Sequence, residues 1–356
     1  MIDLKCASFF AGVGGIDLGF TLCSDDDVTY NVVYANEIDS YPIKTYELNF
    51  DLKVKHEDIK KVADIPDEIP DFDIMLAGFP CQAFSIAGYR QGFNDEKGRG
   101  TLFFELIKII RAKHPKIVFL ENVKNLVSHN NGDTLATILD ALRQEGYYFK
   151  DPKILNAMDY GNIPQNRERI YIVAFSDKNM CDNFEYPKPI ELQKKLSDVI
   201  DFTHQVGQKY YYIEGKYKAE IYNGLIEGMT DENAVYQWRR KYVRKNKQGV
   251  VPTLTANMGT GGHNVLLIKT RYGIRKLTPH ECFNVQGFPE SFKLPNDLAE
   301  SRLYKQAGNS VCVTVIEGIA EQITLAYKKT YGDIVGGTPT DILERKIYEK
   351  RRRKKN

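Results

Sequence analysis

Cys81 follows Pro80 directly and sits just beyond the apolar run at 74–77, inside the sequence GFPCQAFSIAG. That placement predicts a thiol at the carboxyl end of a strand, the edge of an open α/β sheet where ligands bind. A second apolar run at 117–120 leads into Glu121-Asn122-Val123, and Arg167-Glu168-Arg169 leads into a third at 170–173. A nucleophile, a carboxylate and two guanidinium groups can thus meet on one sheet. The chemistry open to such a set is covalent addition, with fixed charges stabilising the charge that develops. Taken singly, each residue has a plainer reading. Cys81 would be a buried inert thiol, Glu121 a helix N-terminal acid, and Arg167 with Glu168 a surface ion pair worth about 0–1 kcal/mol.

These residues need a scaffold, and the first half of the chain supplies its rhythm. Short β-rich runs at 6–10, 32–35, 74–77, 117–120 and 170–174 alternate with helical stretches, notably 102–113 and 134–144. That alternation predicts βαβ units and a doubly wound parallel sheet. Phe10-Ala11-Gly12-Val13-Gly14-Gly15 reads as a strand-to-helix turn open to a ligand, although a tight turn alone also requires glycine. No Lys-Ser/Thr follows it, so it is not a phosphate-binding P-loop. Glu37 stands about 20 residues further on, at the end of the next strand, where an acid binds ribose hydroxyls. The pair favours an adenosine-containing cofactor.

From about 186 the rhythm fails, and isolated aromatics surround the basic block Arg239-Arg240-Lys241-Tyr242-Val243-Arg244-Lys245. A net charge of +2 hides this local excess, which fits a face that meets a polyanion. The closing block Lys350–Lys355 reads more simply as a solvated tail. A chain of 356 residues can bury a large core and form two structural units. No apolar run nears the roughly 20 residues of a membrane span, and no secretion signal opens the chain. Six scattered cysteines, without CxxC or Cys/His spacing, suit reduced thiols in a cytosol and give no support to a metal site. The run 311–327 reads as one amphipathic helix.

The ordered motifs FAGVGG, NEID, GFPCQAFS, ENV, QNRERIYIV, RKLTPHECFNVQGFP and YKQAGNSV resemble the DNA cytosine-5 methyltransferases, in particular the compact bacterial restriction-modification enzymes. The match covers about 8–173 and 275–316. It implies an α/β, Rossmann-like S-adenosylmethionine-dependent methyltransferase fold, with a smaller irregular target-recognition domain. The catalytic domain would be discontinuous, 1–185 plus 303–330, with recognition at 186–302 and a basic tail at 331–356. The resemblance makes Cys81 the nucleophile that attacks C6 of a flipped-out cytosine. Glu121 would bond N3 and the exocyclic amine, and Arg167, with Arg169 second, would hold the O2 edge.

The resemblance also carries S-adenosyl-L-methionine onto Phe10, Gly12, Gly14, Gly15, Glu37, Ile38, Asp58, Ile59, Pro80, Leu102 and Asn309. Duplex DNA would meet Ser85, Arg239, Arg240, Arg244, Lys245, Thr253 and Thr255, with Gly259–Gly262 letting the backbone approach. No metal is implied. A monomer in the bacterial cytoplasm, working beside a restriction endonuclease, completes the expectation. A tRNA methyltransferase of the same family is the alternative, but its short Cys-Phe-Thr signature is missing, and a non-catalytic DNA-binding relative is another. Two departures stand out. Ser8-Phe9 replaces the usual Asp-Leu, so any role of that acid is expected to be absent, and Ala87 stands where some relatives have serine.

Overall fold

The computed structural model describes residues 2–80, 102–246, 249–260 and 262–332; Cys81, Ser85 and Ala87 lie outside the described residues. Its centre is an eight-stranded sheet. The strands are β1 (Ile2–Phe9), β2 (Val28–Glu37), β3 (Lys55–His56), β4 (Ile74–Gly78), β5 (Ile117–Val123), β6 (Tyr148–Phe149), β7 (Lys153–Asn156) and β9 (Glu168–Phe175), with the short β8 (Gln165–Asn166) outside it. Their order is β3-β2-β1-β4-β5-β9-β6, and β7 also pairs with β9. The chain order reverses between β1 and β4, which makes the carboxyl ends of those strands the crevice of a doubly wound sheet. Strands β1 to β5 run parallel, whereas β9 is antiparallel to β5. This departs from the all-parallel expectation, because an apolar run carries no sign of its direction.

Central strands are apolar throughout because helices cover both faces. Ile74, Met75, Leu76 and Ala77 of β4 are all fully buried. Helix α2 (Ser40–Asn49) packs beside β2, and on one face α3 (Ile59–Asp64), α4 (Leu102–Lys113) and α5 (Asp133–Gln144) cover the sheet. On the other lie α1 (Gly15–Cys23), α6 (Lys178–Asn183) and, from the far end of the chain, α10 (Val313–Tyr331). Helices α1 and α10 touch at Gly19, where a Cβ would stand 2.5 Å from Cβ of Ile316. The hydroxyls of Tyr30 on β2 and Thr324 of α10 share a hydrogen bond of 2.7 Å, and Lys328 pairs with Asp25 and Asp27 to fix its last turn. By length and composition the stretch Glu300–Tyr331 would suit a membrane span, but 56% of its most apolar window is buried inside the fold.

The region after 186 holds more order than its scattered aromatics suggest. Strands β10 (Tyr236–Arg239), β11 (Tyr242–Lys245), β13 (Leu266–Thr270) and β14 (Gly273–Lys276) form an antiparallel sheet in the order β11-β10-β13-β14. Helix α7 (Ala219–Gly228) packs on it, while β12 (Val251–Pro252) leaves to pair in parallel with β8. Two further helices, α8 (Pro279–Val285) and α9 (Glu300–Asn309), carry the chain back toward α10. Helix α8 starts at a capping box, Thr278 with Glu281. Glu281 also clamps the fully buried Arg275 through two bonds of 2.7 and 2.8 Å.

Candidate active site at the sheet edge

Register places the first cluster. Gly78 at the end of β4 is paired with Glu121 on β5, and Val123 is paired with Arg169 on β9. Arg169 is therefore the same-face diagonal neighbour of Glu121, within reach of a long side chain. Its Nε lies 3.2 Å from Glu121 Oε1, and both side chains are nearly buried. Burial pushes the Glu121 carboxyl above its ordinary value, and the two nearby arginines pull it back only in part. A carboxyl that carries its proton can donate a hydrogen bond as well as accept one.

Sequence reasoning passed over Asn122. Its buried amide donates to the Phe79 carbonyl at 2.9 Å, fixing the backbone that leads into Pro80 and Cys81. The only sequence signal was its place between Glu121 and Val123.

Arg169 is the arginine beside Glu121, whereas Arg167, the first candidate for the O2 edge, has its guanidinium on main-chain carbonyls. It is 2% exposed and donates to the main-chain carbonyls of Leu254, Gly308 and Ser310. Burial first, and Arg169 second, push its pKa down. Gln165, equally buried, donates to Val285 and Gln286 and accepts from the Leu254 amide. Gln286 in turn donates to Ala307. These side chains sew three distant segments together at one seam, where backbone polar groups would otherwise lack partners. Gly308 is needed there, since a Cβ would stand 2.3 Å from the Thr255 carbonyl carbon.

The glycine turn forms a second cluster at the end of β1. Phe10, Gly12 and Gly14 have φ of 55°, 57° and 81°, a left-handed region that glycine enters without strain and phenylalanine does not. A Cβ on Gly12 would meet nothing nearer than the Phe10 carbonyl at 4.0 Å, so its backbone faces open space. The Gly15 position, by contrast, is closed by Ser310, whose Oγ would stand 2.6 Å from a Cβ. Ser310 thus reaches this turn from the far end of the chain, and Asn309 precedes it, exposed. Glu37 accepts from the amides of Gly12, Ile38 and Asp39, tying the turn to the end of β2. Asn36 donates to the carbonyls of Lys55 and Glu57, bringing Asp58 alongside. Asp58 caps α3 through the Lys60 amide, whereas Ile59 is core. Ile38 is 60% exposed, Pro80 is exposed and Leu102 packs partly into the core.

An acid stands against position 8 after all. Ser8 donates to Asp17 Oδ1 at 2.6 Å, and both residues are buried beneath the turn. Burial outweighs the hydroxyl and pushes the Asp17 carboxyl up to about 6. A group with a raised folded pKa loses its contribution as pH rises from the unfolded toward the folded value. Asp17→Asn should therefore gain stability over the parent as pH goes from 4 to 6.5, reaching about 3 kcal/mol. Denaturant titrations across that range check it; a pH-independent difference would refute the buried titration.

The basic block forms the β10–β11 hairpin. Arg240 and Arg244 are exposed, Arg239 is half-buried and Lys245 is paired with Asp231 at 2.6 Å. Thr253 is exposed and donates to the Asn166 carbonyl at 2.7 Å. Thr255 departs from expectation, because its hydroxyl is buried rather than presented. Gly259 is likewise a packing glycine, since a Cβ would lie 2.9 Å from Tyr304. The five described cysteines are all buried, and no cluster of metal-ligating groups occurs among the described residues.

A family model described as C-5 cytosine-specific DNA methylase matches residues 4–325. The Type II methyltransferase M.Bsp6I of Bacillus sp. (strain RFL6) is 54% identical over 90% of this chain and 98% of its own. The Type II methyltransferase M.HhaI of Haemophilus parahaemolyticus is 40% identical over 91% and 95%. Among solved structures, a DNMT2 mutant of Spodoptera frugiperda superposes with a TM-score of 0.67 at 18% identity, covering 90% and 99%. A putative prophage-encoded DNA modification methyltransferase from E. coli gives 0.65 at 20%, covering 91% and 99%. At such identities these structures bear on the fold alone.

Proposed function

From the premise that this chain belongs to the C-5 cytosine-specific DNA methylase family, and so is a DNA cytosine-5 methyltransferase, we propose how its residues divide the work. Carbon 5 of cytosine is a weak nucleophile. Addition of the Cys81 thiolate to C6 turns the ring into an enamine, and C5 then attacks. Glu121 hydrogen-bonds N3 and accepts from the exocyclic amine. Arg169, paired with Glu121, faces the O2 edge, and Arg167 supports the site from behind. After C5 has been methylated, loss of its proton and elimination return the Cys81 thiolate. The pairing of Glu121 with Arg169 beside Gly78, three residues before Cys81, carries this reading.

The glycine turn, Glu37, Ile38 and Asp58 fit an adenosyl ligand. Gly12 leaves open backbone, Glu37 retains lone-pair capacity for ribose hydroxyls, and the exposed Ile38 offers an apolar surface to adenine. S-Adenosyl-L-methionine bound there supplies an electrophilic methyl group on a sulfonium. Phe10, Gly14, Gly15, Ile59, Pro80, Leu102 and Asn309 complete its surroundings. Residues 1–185 with 303–330 form the catalytic unit, and 186–302 read duplex DNA once the target base is flipped at a cost of a few kcal/mol. Thr253 lies against the sugar-phosphate of the flipped site. The enzyme works as a monomer in the bacterial cytoplasm, beside an endonuclease of the same target. The tRNA alternative has no support in a 54% identity that spans a Type II methyltransferase.

Bisulfite sequencing of plasmid from cells expressing the chain tests the activity, and one short sequence should be methylated throughout. Calorimetry on the purified protein tests the cofactor assignment. Glu37→Gln should weaken S-adenosylmethionine binding roughly 10- to 100-fold, the scale of a charged hydrogen bond. Equal affinity for variant and parent would remove Glu37 from the cofactor site.

A further inference from the structure

Strand alternation gives the β10–β11 hairpin two unlike faces. Trp238 and Val243 pack on α7, where Gly224 and Gly228 leave room; a Cβ at either would stand 2.8–2.9 Å from those side chains. Gln237, Arg239, Tyr242 and Arg244 therefore share the opposite face, since Gln237 is paired with Arg244 and Arg239 with Tyr242. The tip is the two-residue turn Arg240-Lys241, with Arg240 held at φ 57°. Hairpin tips of this kind ordinarily take Asn or Gly, and a left-handed arginine is strain of a sort retained at functional positions.

Arg239, Arg240, Tyr242 and His263 line an open cleft of about 360 Å³ on this face. Arg239 is the guanidinium held in place there. Its Nη2 donates to Gln237 Oε1 at 3.2 Å, and the buried Gln237 donates in turn to the His263 carbonyl at 3.3 Å. Its Nε is buried with no hydrogen-bond partner among the described residues, and no carboxylate pairs with it there. A neutral amide thus orients a full positive charge without neutralising it.

We propose that this cleft reads the edge of one guanine in the major groove, with Arg239 donating to O6 and N7 and Gln237 as its positioning residue. The inference rests on the reading of this region as the DNA-recognising part, and it names the base that the region selects. A two-stranded ribbon fits the major groove, and a bidentate arginine is the commonest reader of guanine. A guanidinium held by Gln237 in the lining of a cleft suits a planar base edge. The exposed Arg240 and Arg244, free to follow a moving chain, suit phosphates instead.

The test uses full-length enzyme on a pool of duplexes randomised around the target, read by bisulfite sequencing. Selection of bound duplexes from the same pool reports preference even where turnover is lost. Arg239→Gln should relax one G·C position by on the order of 10- to 100-fold and leave the others sharp. Gln237→Ala should relax the same position less. Arg240→Ala and Arg244→Ala should weaken all duplexes alike and lower the salt slope by about one each. Uniform weakening of every duplex by Arg239→Gln, or unchanged preference, would overturn the guanine assignment. Failure of the parent reading shows separately, as a wild type that methylates no duplex in the pool.

Discussion

Cys81→Ser is expected to abolish methyl transfer while duplex and S-adenosylmethionine binding persist. A serine hydroxyl is almost wholly protonated near neutrality, whereas a thiol ionises readily and its thiolate is the better nucleophile. Without addition at C6, C5 keeps its poor nucleophilicity, and Glu121 with Arg169 can only stabilise charge that never develops. The loss should be on the order of 10⁴- to 10⁶-fold, the range met when a covalent nucleophile is removed. The wild type should form an SDS-stable adduct with duplex carrying 5-fluorocytosine at the target, because fluorine blocks the release step. A serine variant that still formed this adduct would exclude Cys81 as the nucleophile.

The second large effect falls on stability. Arg167→Ala leaves the carbonyls of Leu254, Gly308 and Ser310 without their donor inside a closed seam. Each buried acceptor left unpaired costs about 1–3 kcal/mol, so the sum should be on the order of 4 kcal/mol. Urea denaturation of parent and variant measures it directly. Arg167→Lys should lie between them, since one ammonium cannot serve all three carbonyls with a fork's geometry. A loss below about 1 kcal/mol would mean that the three segments hold together without the guanidinium.

The two arginines also show where the sequence stops being informative. In Arg167-Glu168-Arg169 they are indistinguishable by type, spacing and neighbours. Only the antiparallel register of β9, which sets Arg169 opposite Val123 and diagonal to Glu121, separates the side chain at the site from the one behind it. That register depends on the direction of β9, which no local pattern encodes. Local features fared better. Helix α4 begins and ends where its apolar spacing predicts, and the buried runs of β4 and β5 announce central strands. Asp17 was unreadable for the opposite reason. Its partner Ser8 lies nine positions away across a strand-to-helix turn, and an acid inside a helix gives no sign of facing inward. In the basic block the alternation of aromatic and cationic residues was visible, but the face each occupies depends on Gly224 and Gly228 beneath it.

The contact between Gly19 of α1 and Ile316 of α10 also sets a timetable for synthesis. The two residues are roughly 300 positions apart, so at 5–20 residues per second the ribosome delivers the second some 15–60 s after the first. Throughout that interval the side of α1 that meets α10 has no permanent cover, while the Phe20 ring can already close on Tyr30 and Phe119. The sheet's first βα unit is born early and sealed last. A nascent chain stalled before α10 therefore exposes an adhesive surface, and quality control has its longest window on the half of the molecule that was made first.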